Sequence, residues 1–388
     1  MVATGELDAD VVVIGAGVVG LAVAARLARE RSAVVIERRE GPALETSAHN
    51  SQVVHAGIYY PTGSRKHLLC VAGNRALYAW CSERGVPAAR TGKLVAALTE
   101  EELPALEGVW EQAAANGVPG MGRLSAEGAR ALEPAVPCRA ALHSESSGVV
   151  DAGAFARSLE GEARSRGALL AYRHELRGAA RVAGGFVLEA ADPDGEAHEL
   201  RCAALVNAAG HGAPLVARAA GYPLDGGAGV PAFRQRVNKG RYYDVVDASL
   251  ARRVSRHVYP VPAGGGGMDG YLARAGGLGV HLTVDLDGGL HLGPDTEWLE
   301  EGAALDYRAL DDRREAFLAA GRRLLPELGA EGIAPGQVGY RPKLHGPGEP
   351  AADFLIWGDR GYVHLGGIES PGLTASLAIA EEVASLLA

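Results

Sequence analysis

The sequence predicts an α/β protein in which one lobe, built on a parallel sheet, carries a second lobe built on an antiparallel sheet. The 388 residues are more than one hydrophobic core usually organises, which favours two lobes. Residues Asp10 to Glu37 read as an apolar strand, a glycine turn, an amphipathic helix and a second apolar strand, and fully apolar strands are typical of a parallel sheet covered on both faces. Across 230–293, runs such as GVHLTVDL alternate in polarity, which predicts antiparallel strands.

The remaining elements follow in chain order. Capping residues and apolar spacing predict helices from about Ser64 to Gly85, after Thr99, from Ser125, from Asp151 and around 308–325. Strands are predicted at Lys93 to Thr99, 168–177, 185–191 and 199–206, and the tail after Tyr362 reads as strand, glycine turn and helix. The two ends therefore share an architecture. We expect a discontinuous nucleotide-binding domain over 1–90, 145–220 and 335–388, and a substrate-binding domain over 91–144 and 221–334.

Composition excludes several classes of protein. The formal net charge is -9, and no cluster of Lys and Arg interleaves with aromatic residues, so we expect no nucleic-acid partner. The four cysteines are scattered without CxxC spacing, which favours a reducing compartment and gives no metal site. The N-terminal stretch is acidic, and the longest apolar stretch, Val11 to Ala25, is broken by three glycines. We therefore expect a cytoplasmic protein without a metal.

The first glycine turn has the pattern of a dinucleotide site. Gly15, Gly17 and Gly20 fill G-x-G-x-x-G between a predicted strand and a predicted helix, which is the context the pattern requires. Gly15 suits the tight turn, Gly17 admits the pyrophosphate, and Gly20 allows close packing of helix on strand. Glu37 ends the next strand, 22 residues after Gly15, where a carboxylate can accept from ribose hydroxyls. The pattern predicts a Rossmann-type domain and does not distinguish NAD from FAD.

A second glycine-ended strand favours FAD. LVNAAG, residues Leu205 to Gly210, is similar to the second nucleotide-facing turn of FAD-binding folds of the glutathione reductase and D-amino-acid oxidase type. The first turn also lies within 20 residues of the start of the sequence, as in flavoproteins of this group. We expect a glutathione reductase-like FAD-binding domain.

Three longer strings resemble one family of flavoproteins. They are HNSQVVHAGIYYPTGSRKHLLCVAGN from His49, YPVP from Tyr259 with LGVHLT from Leu278, and GYRPKL from Gly339 with GIESPGLTASLAIA from Gly367. Together they resemble the L-2-hydroxyglutarate dehydrogenase/oxidase family, within the D-amino-acid oxidase-like flavoproteins. The C-terminal string is closer to a shorter bacterial branch, part of which is named glycerol-3-phosphate dehydrogenase. The resemblance implies oxidation of a 2-hydroxy acid by hydride transfer to flavin N5.

The resemblance also suggests which residues do the chemistry. Arg341 is expected to bind the substrate carboxylate, because a guanidinium holds a carboxylate through two parallel hydrogen bonds. His55 and His281 compete as the base that takes the hydroxyl proton, and the sequence does not choose between them. The remaining candidates are hydrogen-bond donors to substrate oxygens and lysines for a second carboxylate, namely Tyr259, Thr283, Lys239 and Lys343.

The cofactor is expected to be non-covalent FAD, since no cysteine or histidine in these strings marks a covalent tether. The amides that begin the C-terminal helix, near Gly372 to Thr374, are expected to face the flavin N1/O2 edge. The full set of expected cofactor contacts is Gly15, Gly17, Val18, Val19, Gly20, Glu37, Arg38, Ser47, Asn50, Ser51, Leu176, Ala208, Ala209, Gly210, Gly367, Gly372, Leu373 and Thr374.

These observations predict an FAD-dependent oxidoreductase that takes a small anionic 2-hydroxy acid. Two alternatives stay open, an amino-acid or amine oxidase and a glycerol-3-phosphate dehydrogenase-like enzyme, because one fold hosts all three chemistries. A flavoprotein that binds FAD for folding or assembly alone is a non-catalytic alternative. The electron acceptor is unknown, with oxygen, a quinone and an electron-transfer protein all open.

Overall fold

A computed structural model describes residues 6–261 and 280–388. The strands are β1 Ala9–Ile14, β2 Ala33–Glu37, β3 Val53–Val54, β4 Ala88–Ala89, β5 Lys93–Ala97, β6 Met121–Ser125, β7 Ala140–Ser144, β8 Gly148–Val150, β9 Leu169–Tyr172, β10 Glu175–Val182, β11 Gly185–Ala191, β12 Ala197–Asn207, β13 Arg236–Val245, β14 His257–Pro260, β15 His281–Val284, β16 Leu290–Gly293, β17 Glu297–Trp298, β18 Ile333–Lys343, β19 Leu355–Asp359 and β20 Tyr362–Gly366. The helices are α1 Val18–Leu27, α2 Arg65–Arg84, α3 Leu103–Ala115, α4 Ala126–Leu132, α5 Ala152–Ser165, α6 Ala213–Ala219, α7 Ala248–Ala251, α8 Arg314–Leu324 and α9 Gly372–Leu386. Pro262, Leu278 and Gly279 of the family-like strings lie outside the described residues.

The first sheet confirms the predicted parallel core. Strands β20, β12, β1, β2 and β9 lie side by side and parallel. An antiparallel meander of β10, β11 and the first half of β12 extends the sheet, and β19 pairs with β20. Alternate residues of β1 enter different cores: Val11 and Val13 pack in the core that includes Leu21, Phe155 and Ile379, whereas Val12 and Ile14 face another. Both faces of this sheet are covered, as its apolar strands require.

The second sheet is largely antiparallel, as expected. Its order is β17-β13-β16-β15-β14-β5-β7-β6, and β18 pairs with the other edge of β13. Strands β5 and β14 run parallel, which the alternating pattern did not predict. A core that includes Leu94, Leu282 and Phe317 fills one face of this sheet. A small third sheet joins β3, β8 and β4.

Two details differ from the sequence predictions. The single strand predicted over 168–177 is two strands, because Arg173 takes a left-handed conformation with φ of 58° and the chain turns between β9 and β10. The long strand β18 was not predicted, and it pairs with β13 from Ile333 to Lys343. We keep the division into two domains as a proposal, and this pairing argues for a last boundary after Lys343 rather than at 335. Among the described helices, none is long and apolar enough to cross a membrane.

Candidate active site

A cavity of about 1020 Å³ is lined by residues of both large sheets. The first sheet contributes the carboxyl ends of its parallel strands, including Ile14, Glu37 and Ala208. The second sheet contributes side chains such as Tyr259 and Arg341. The volume is at the upper end of the range of ligand pockets, roughly 300–1,000 Å³. The carboxyl ends of parallel strands are also where open α/β sheets bind their ligands.

The glycine turn after β1 forms a tight cradle at one end of this cavity. Gly15 has φ of 105°, and a Cβ there would lie 2.6 Å from the Ala208 carbonyl oxygen. A Cβ on Gly20 would lie 2.0 Å from the carbonyl oxygen of Gly15. Helix α1 starts directly after Gly17, and the Val18 amide donates to Ser47 Oγ at 3.0 Å. The turn thus leaves a helix N-terminus open to an anionic pyrophosphate.

Glu37 is fixed at the end of β2 by backbone amides. Its carboxylate accepts from the amide of Ala16 at 2.8 Å and from the amide of Arg39 at 2.7 Å. Arg38 and Arg39 both bind Glu45 instead, at 2.6 Å and 2.8 Å. Within the described residues, Glu37 therefore makes no ion pair, and its carboxylate can accept from ribose hydroxyls. The cradle, this carboxylate and the volume of the cavity fit FAD.

Most of the predicted cofactor residues lie at this cavity. Those that line it are Gly15, Gly17, Val18, Val19, Glu37, Arg38, Ser47, Asn50, Ser51, Leu176, Ala208, Ala209, Gly210, Gly372 and Leu373. Gly20, Gly367 and Thr374 do not line it. Gly20 packs on the turn, the Gly367 amide donates to Gln235 Oε1 at 2.8 Å, and Thr374 Oγ1 accepts from the His55 amide at 3.0 Å.

Arg341 lines the cavity from β18. Its Nη1 donates to Asn238 Oδ1 at 2.8 Å, and its Nη2 donates to the Asp295 carbonyl oxygen at 2.7 Å. The guanidinium packs so closely against Gly240 that a Cβ at that residue would lie 2.0 Å from Nη2. No carboxylate of the described chain forms an ion pair with Arg341, so the guanidinium keeps donors for an anionic ligand.

His281 and Tyr259 form a stacked pair in the cavity wall. Their ring centroids are 3.6 Å apart and their planes differ by 10°. His281 is 4% exposed, and neither of its ring nitrogens has a hydrogen-bond partner among the described residues. Burial, followed by the charges of Lys93 and Arg341, holds the pKa of His281 well below its usual 6.5. The imidazole is therefore neutral near pH 7 and offers an unused lone pair to a ligand.

His55 lines the same cavity from the segment after β3. Its Nε2 lies 3.2 Å from Ser370 Oγ, and its amide is held by Thr374. Burial and then the charge of Lys93 hold the pKa of His55 well below 6.5. Arg341 and two neutral imidazoles therefore line one cavity.

Three other predicted substrate contacts do not line the cavity. Thr283 is buried on β15 outside the lining. Lys239 precedes Gly240 on β13, and adjacent residues of a strand face opposite sides. Because Gly240 lines the cavity, the Lys239 side chain lies on the other face of the strand. Lys343 is buried against Glu369, at 2.8 Å, in a cluster that also includes Lys66. The positions of these residues do not support direct contact with a substrate.

The sequence analysis missed several residues at this site. Tyr59, Tyr60, Lys66, Tyr242 and Glu369 line the cavity. Asn238 positions Arg341, and its Nδ2 is buried without a partner among the described residues. Lys93 lies with its ammonium 3.9 Å from the centroid of the Tyr259 ring. Nothing in the sequence indicates that Lys93 is buried, because a lysine that begins a strand is usually solvated.

The sequence is similar to one protein family and to several named proteins. The family model DAO, FAD dependent oxidoreductase, matches residues 10–386. The mitochondrial L-2-hydroxyglutarate dehydrogenase of Arabidopsis thaliana is 37% identical over 417 residues, covering 97% of this chain and 83% of that protein. The L-2-hydroxyglutarate dehydrogenase of Escherichia coli strain K12 is 27% identical, covering 97% of this chain and 92% of that protein.

Solved structures show the same fold. An L-alpha-glycerophosphate oxidase from Mycoplasma pneumoniae with FAD bound superposes with a TM-score of 0.83 at 25% identity, covering 99% of this chain and 95% of that one. A glycine oxidase from Geobacillus kaustophilus superposes with a TM-score of 0.75 at 19% identity, covering 98% and 94%. The second likeness concerns the fold alone.

Proposed function

Because this chain belongs to the FAD-dependent oxidoreductase family, we propose that it oxidises a small 2-hydroxy acid of the L-2-hydroxyglutarate type to the 2-oxo acid. The observation that carries the proposal is the meeting of Arg341 and two neutral imidazoles, His55 and His281, in one cavity. The names of the relatives from Arabidopsis thaliana and Escherichia coli support the substrate class.

Arg341 orients the substrate. Asn238 and the Asp295 carbonyl hold two of its nitrogens, so the guanidinium is already in place before an acid arrives. The remaining N–H groups donate to the substrate carboxylate, and this fixes which face of the neighbouring carbon is presented to the cofactor.

One imidazole takes the hydroxyl proton. A neutral histidine accepts a proton at the nitrogen that carries its lone pair, and both His55 and His281 are neutral near pH 7. Bound FAD supplies the hydride acceptor for the hydrogen on the alpha carbon. The acid thus loses one proton to a histidine and one hydrogen with its electron pair, and becomes the 2-oxo acid. Tyr259, packed on His281, lines the space in which the hydroxyl group is held.

A second candidate is oxidation of a glycerol phosphate, favoured by the likeness to the Mycoplasma pneumoniae oxidase at a TM-score of 0.83. Arg341 would then bind a phosphate in place of a carboxylate. Amino acids are a third class that the fold can accommodate.

We place the reaction in the cytoplasm, since Cys70, Cys81, Cys138 and Cys202 are all free thiols, as a reducing compartment favours. The acceptor that would reoxidise FAD is oxygen, a quinone or an electron-transfer protein.

An anaerobic substrate panel tests the proposal. The purified holoenzyme is mixed with 2-hydroxy acids including L-2-hydroxyglutarate, with glycerol 3-phosphate and with amino acids, and the loss of flavin absorbance near 450 nm is followed. We expect bleaching by L-2-hydroxyglutarate, and a large loss of that response in Arg341→Met. The control is Arg252→Met, since Arg252 is exposed and lies outside the cavity lining, and this variant should behave as the parent enzyme. Bleaching by glycerol 3-phosphate or amino acids, with no response to 2-hydroxy acids, would overturn the proposal.

A further inference from the structure

Lys93 is a buried cation without a counterion among the described residues. Lys93 is the first residue of strand β5 and is 1% exposed. No carboxylate of the described chain lies within ion-pair distance of its ammonium group. A lone buried ammonium is costly, because water is removed and no opposite charge replaces it. Hydrophobic residues usually occupy such a position, so a lysine here calls for a function.

The ammonium is one layer of a three-layer stack. Lys93 Nζ lies 3.9 Å from the centroid of the Tyr259 ring, and the His281 ring lies 3.6 Å from the same centroid. Because the stacked imidazole fills one face of the phenol ring, the ammonium must lie over the other face. The parallel pairing of β5 with β14 places Lys93 beside His257 and brings it to this ring. A cation at this distance is held by the ring electrons.

We propose that Lys93 is a positioning residue whose charge, acting across the Tyr259 ring, keeps the stacked His281 ring in its neutral form, with a lone pair available to a ligand. This inference rests on the proposed function, because it assigns a task to one of the two imidazoles named there. Lys93 itself is not part of the cavity lining. It touches neither substrate nor cofactor in this role, and its charge opposes a second positive charge on His281.

The surrounding groups agree with this role. His257 donates from Nε2 to the Gly148 carbonyl at 2.9 Å and accepts at Nδ1 from the Val284 amide at 3.2 Å, so it is fixed as a neutral ring. Burial and the charge of Lys93 lower its pKa to about 3. Cys70, whose thiol has a raised pKa because it is buried, stays uncharged. Tyr242 and Tyr259 are neutral for the same reason.

Arg341 is the other cationic side chain that acts on His281. Burial lowers the pKa of Lys93 to about 7. As the pH falls, Lys93 therefore gains its proton before the imidazoles gain theirs. Its charge is present over the acidic range in which an ordinary histidine would be protonated and lost as a base.

The test measures histidine protonation directly. Holoenzyme labelled with ¹⁵N-histidine is titrated by NMR, and the signals of His281 and His55 are assigned with His281→Gln and His55→Gln. In the parent enzyme we expect both rings to stay neutral below pH 6. In Lys93→Met we expect the titration of His281 to move up by about one pH unit, and in Lys93→Arg to return toward the parent value. Leu94→Val, a buried change on the same strand whose side chain packs in the core on the opposite face, should leave both titrations in place.

A kinetic measurement links this charge to turnover. With the substrate that bleaches the flavin fastest in the anaerobic panel, the acid limb of the pH profile of the bleaching rate should move to higher pH in Lys93→Met and not in Leu94→Val. Parent histidines that titrate at 6.5 or above, or titrations unchanged in a folded Lys93→Met holoenzyme, would overturn the inference. The NMR titration needs no substrate. If no hydroxy acid bleaches the flavin, the proposed function is wrong. The effect of Lys93 on the histidines can still be measured in that case.

Discussion

At the scale of single residues, the two imidazoles differ in their hydrogen bonding. His55 Nε2 has Ser370 Oγ at 3.2 Å, whereas His281 has no partner for either nitrogen among the described residues. A general base contributes about 100- to 10,000-fold. We expect one of the variants His55→Gln and His281→Gln to lose the rate of flavin bleaching by this factor, and the other by less than about tenfold.

Stopped-flow mixing under anaerobic conditions measures both rates. His198→Gln is the control, because His198 is exposed and binds Asp192 at 3.0 Å away from the cavity. Losses below about tenfold in both variants would show that neither ring is the base.

A variant at Gly240 tests how precisely the Arg341 guanidinium must be positioned. An alanine Cβ would lie 2.0 Å from Arg341 Nη2, so the guanidinium has to move while the strand can stay. We expect Gly240→Ala to lower kcat/KM by about 10- to 100-fold, the value of a hydrogen bond to a charged group. Gly122→Ala on β6 is the control, since a Cβ there meets no atom within 4 Å. Steady-state kinetics measure the effect, and equal kcat/KM in the two variants would contradict it.

At the scale of elements, the contact between α1 and the glycine turn governs cofactor binding. A Cβ on Gly20 would lie 2.0 Å from the Gly15 carbonyl, so Gly20→Ala must push the helix away from β1. We expect this variant to be isolated with little or no FAD and to be less stable by about 1–3 kcal/mol. Gly161→Ala on the exposed face of α5 is the control, because a Cβ there meets no atom within 4 Å.

Absorbance near 450 nm relative to 280 nm reports the FAD content of both variants. A Gly20→Ala protein with a full complement of FAD would show that the close packing of α1 is not needed for the cradle.

The sequence predicted the elements whose signals are local. Strand β1, the glycine turn and α1 were readable because apolar periodicity, three glycines and the later Glu37 all pointed to one unit. Helix α2 was predicted because Ser64 caps it, accepting from the His67 amide, and Gly85 ends it with φ of 65°. These signals depend on residues that are neighbours in the chain, so no tertiary information was needed.

Features that depend on partners far away in the chain could not be predicted from the sequence. Strand β18 carries Arg341, but IAPGQVGYRPK contains two glycines and two prolines, and only its pairing with β13 makes it a strand. Lys93 is buried because β5 pairs with β14, which is far away in the chain. The family resemblance supplied Arg341 and both histidines, whereas Asn238 and Lys93, which act through other residues, had no signal of their own.

At the scale of the whole molecule, the cavity joins two separate cores. One core underlies the first sheet and includes Val13 and Ile379, and another underlies the second sheet and includes Leu282. The cavity is lined from both sheets, so a ligand in it contacts both halves. A ligand that binds the folded form alone must therefore stabilise the two halves together.

Removal of FAD should lower the stability of the entire chain. At free FAD of 100 times its Kd, binding adds about 2.7 kcal/mol, so the melting temperature measured by calorimetry should fall after the cofactor is stripped and rise again on titration with FAD. Gly20→Ala is the control, because displacement of α1 removes the cradle, at the cost of looser packing under the first sheet. We expect its melting temperature to be independent of added FAD. An equal rise in that variant would mean that FAD stabilises the protein elsewhere. A rise confined to the parent would show that the cradle after β1 couples the cofactor to both sheets.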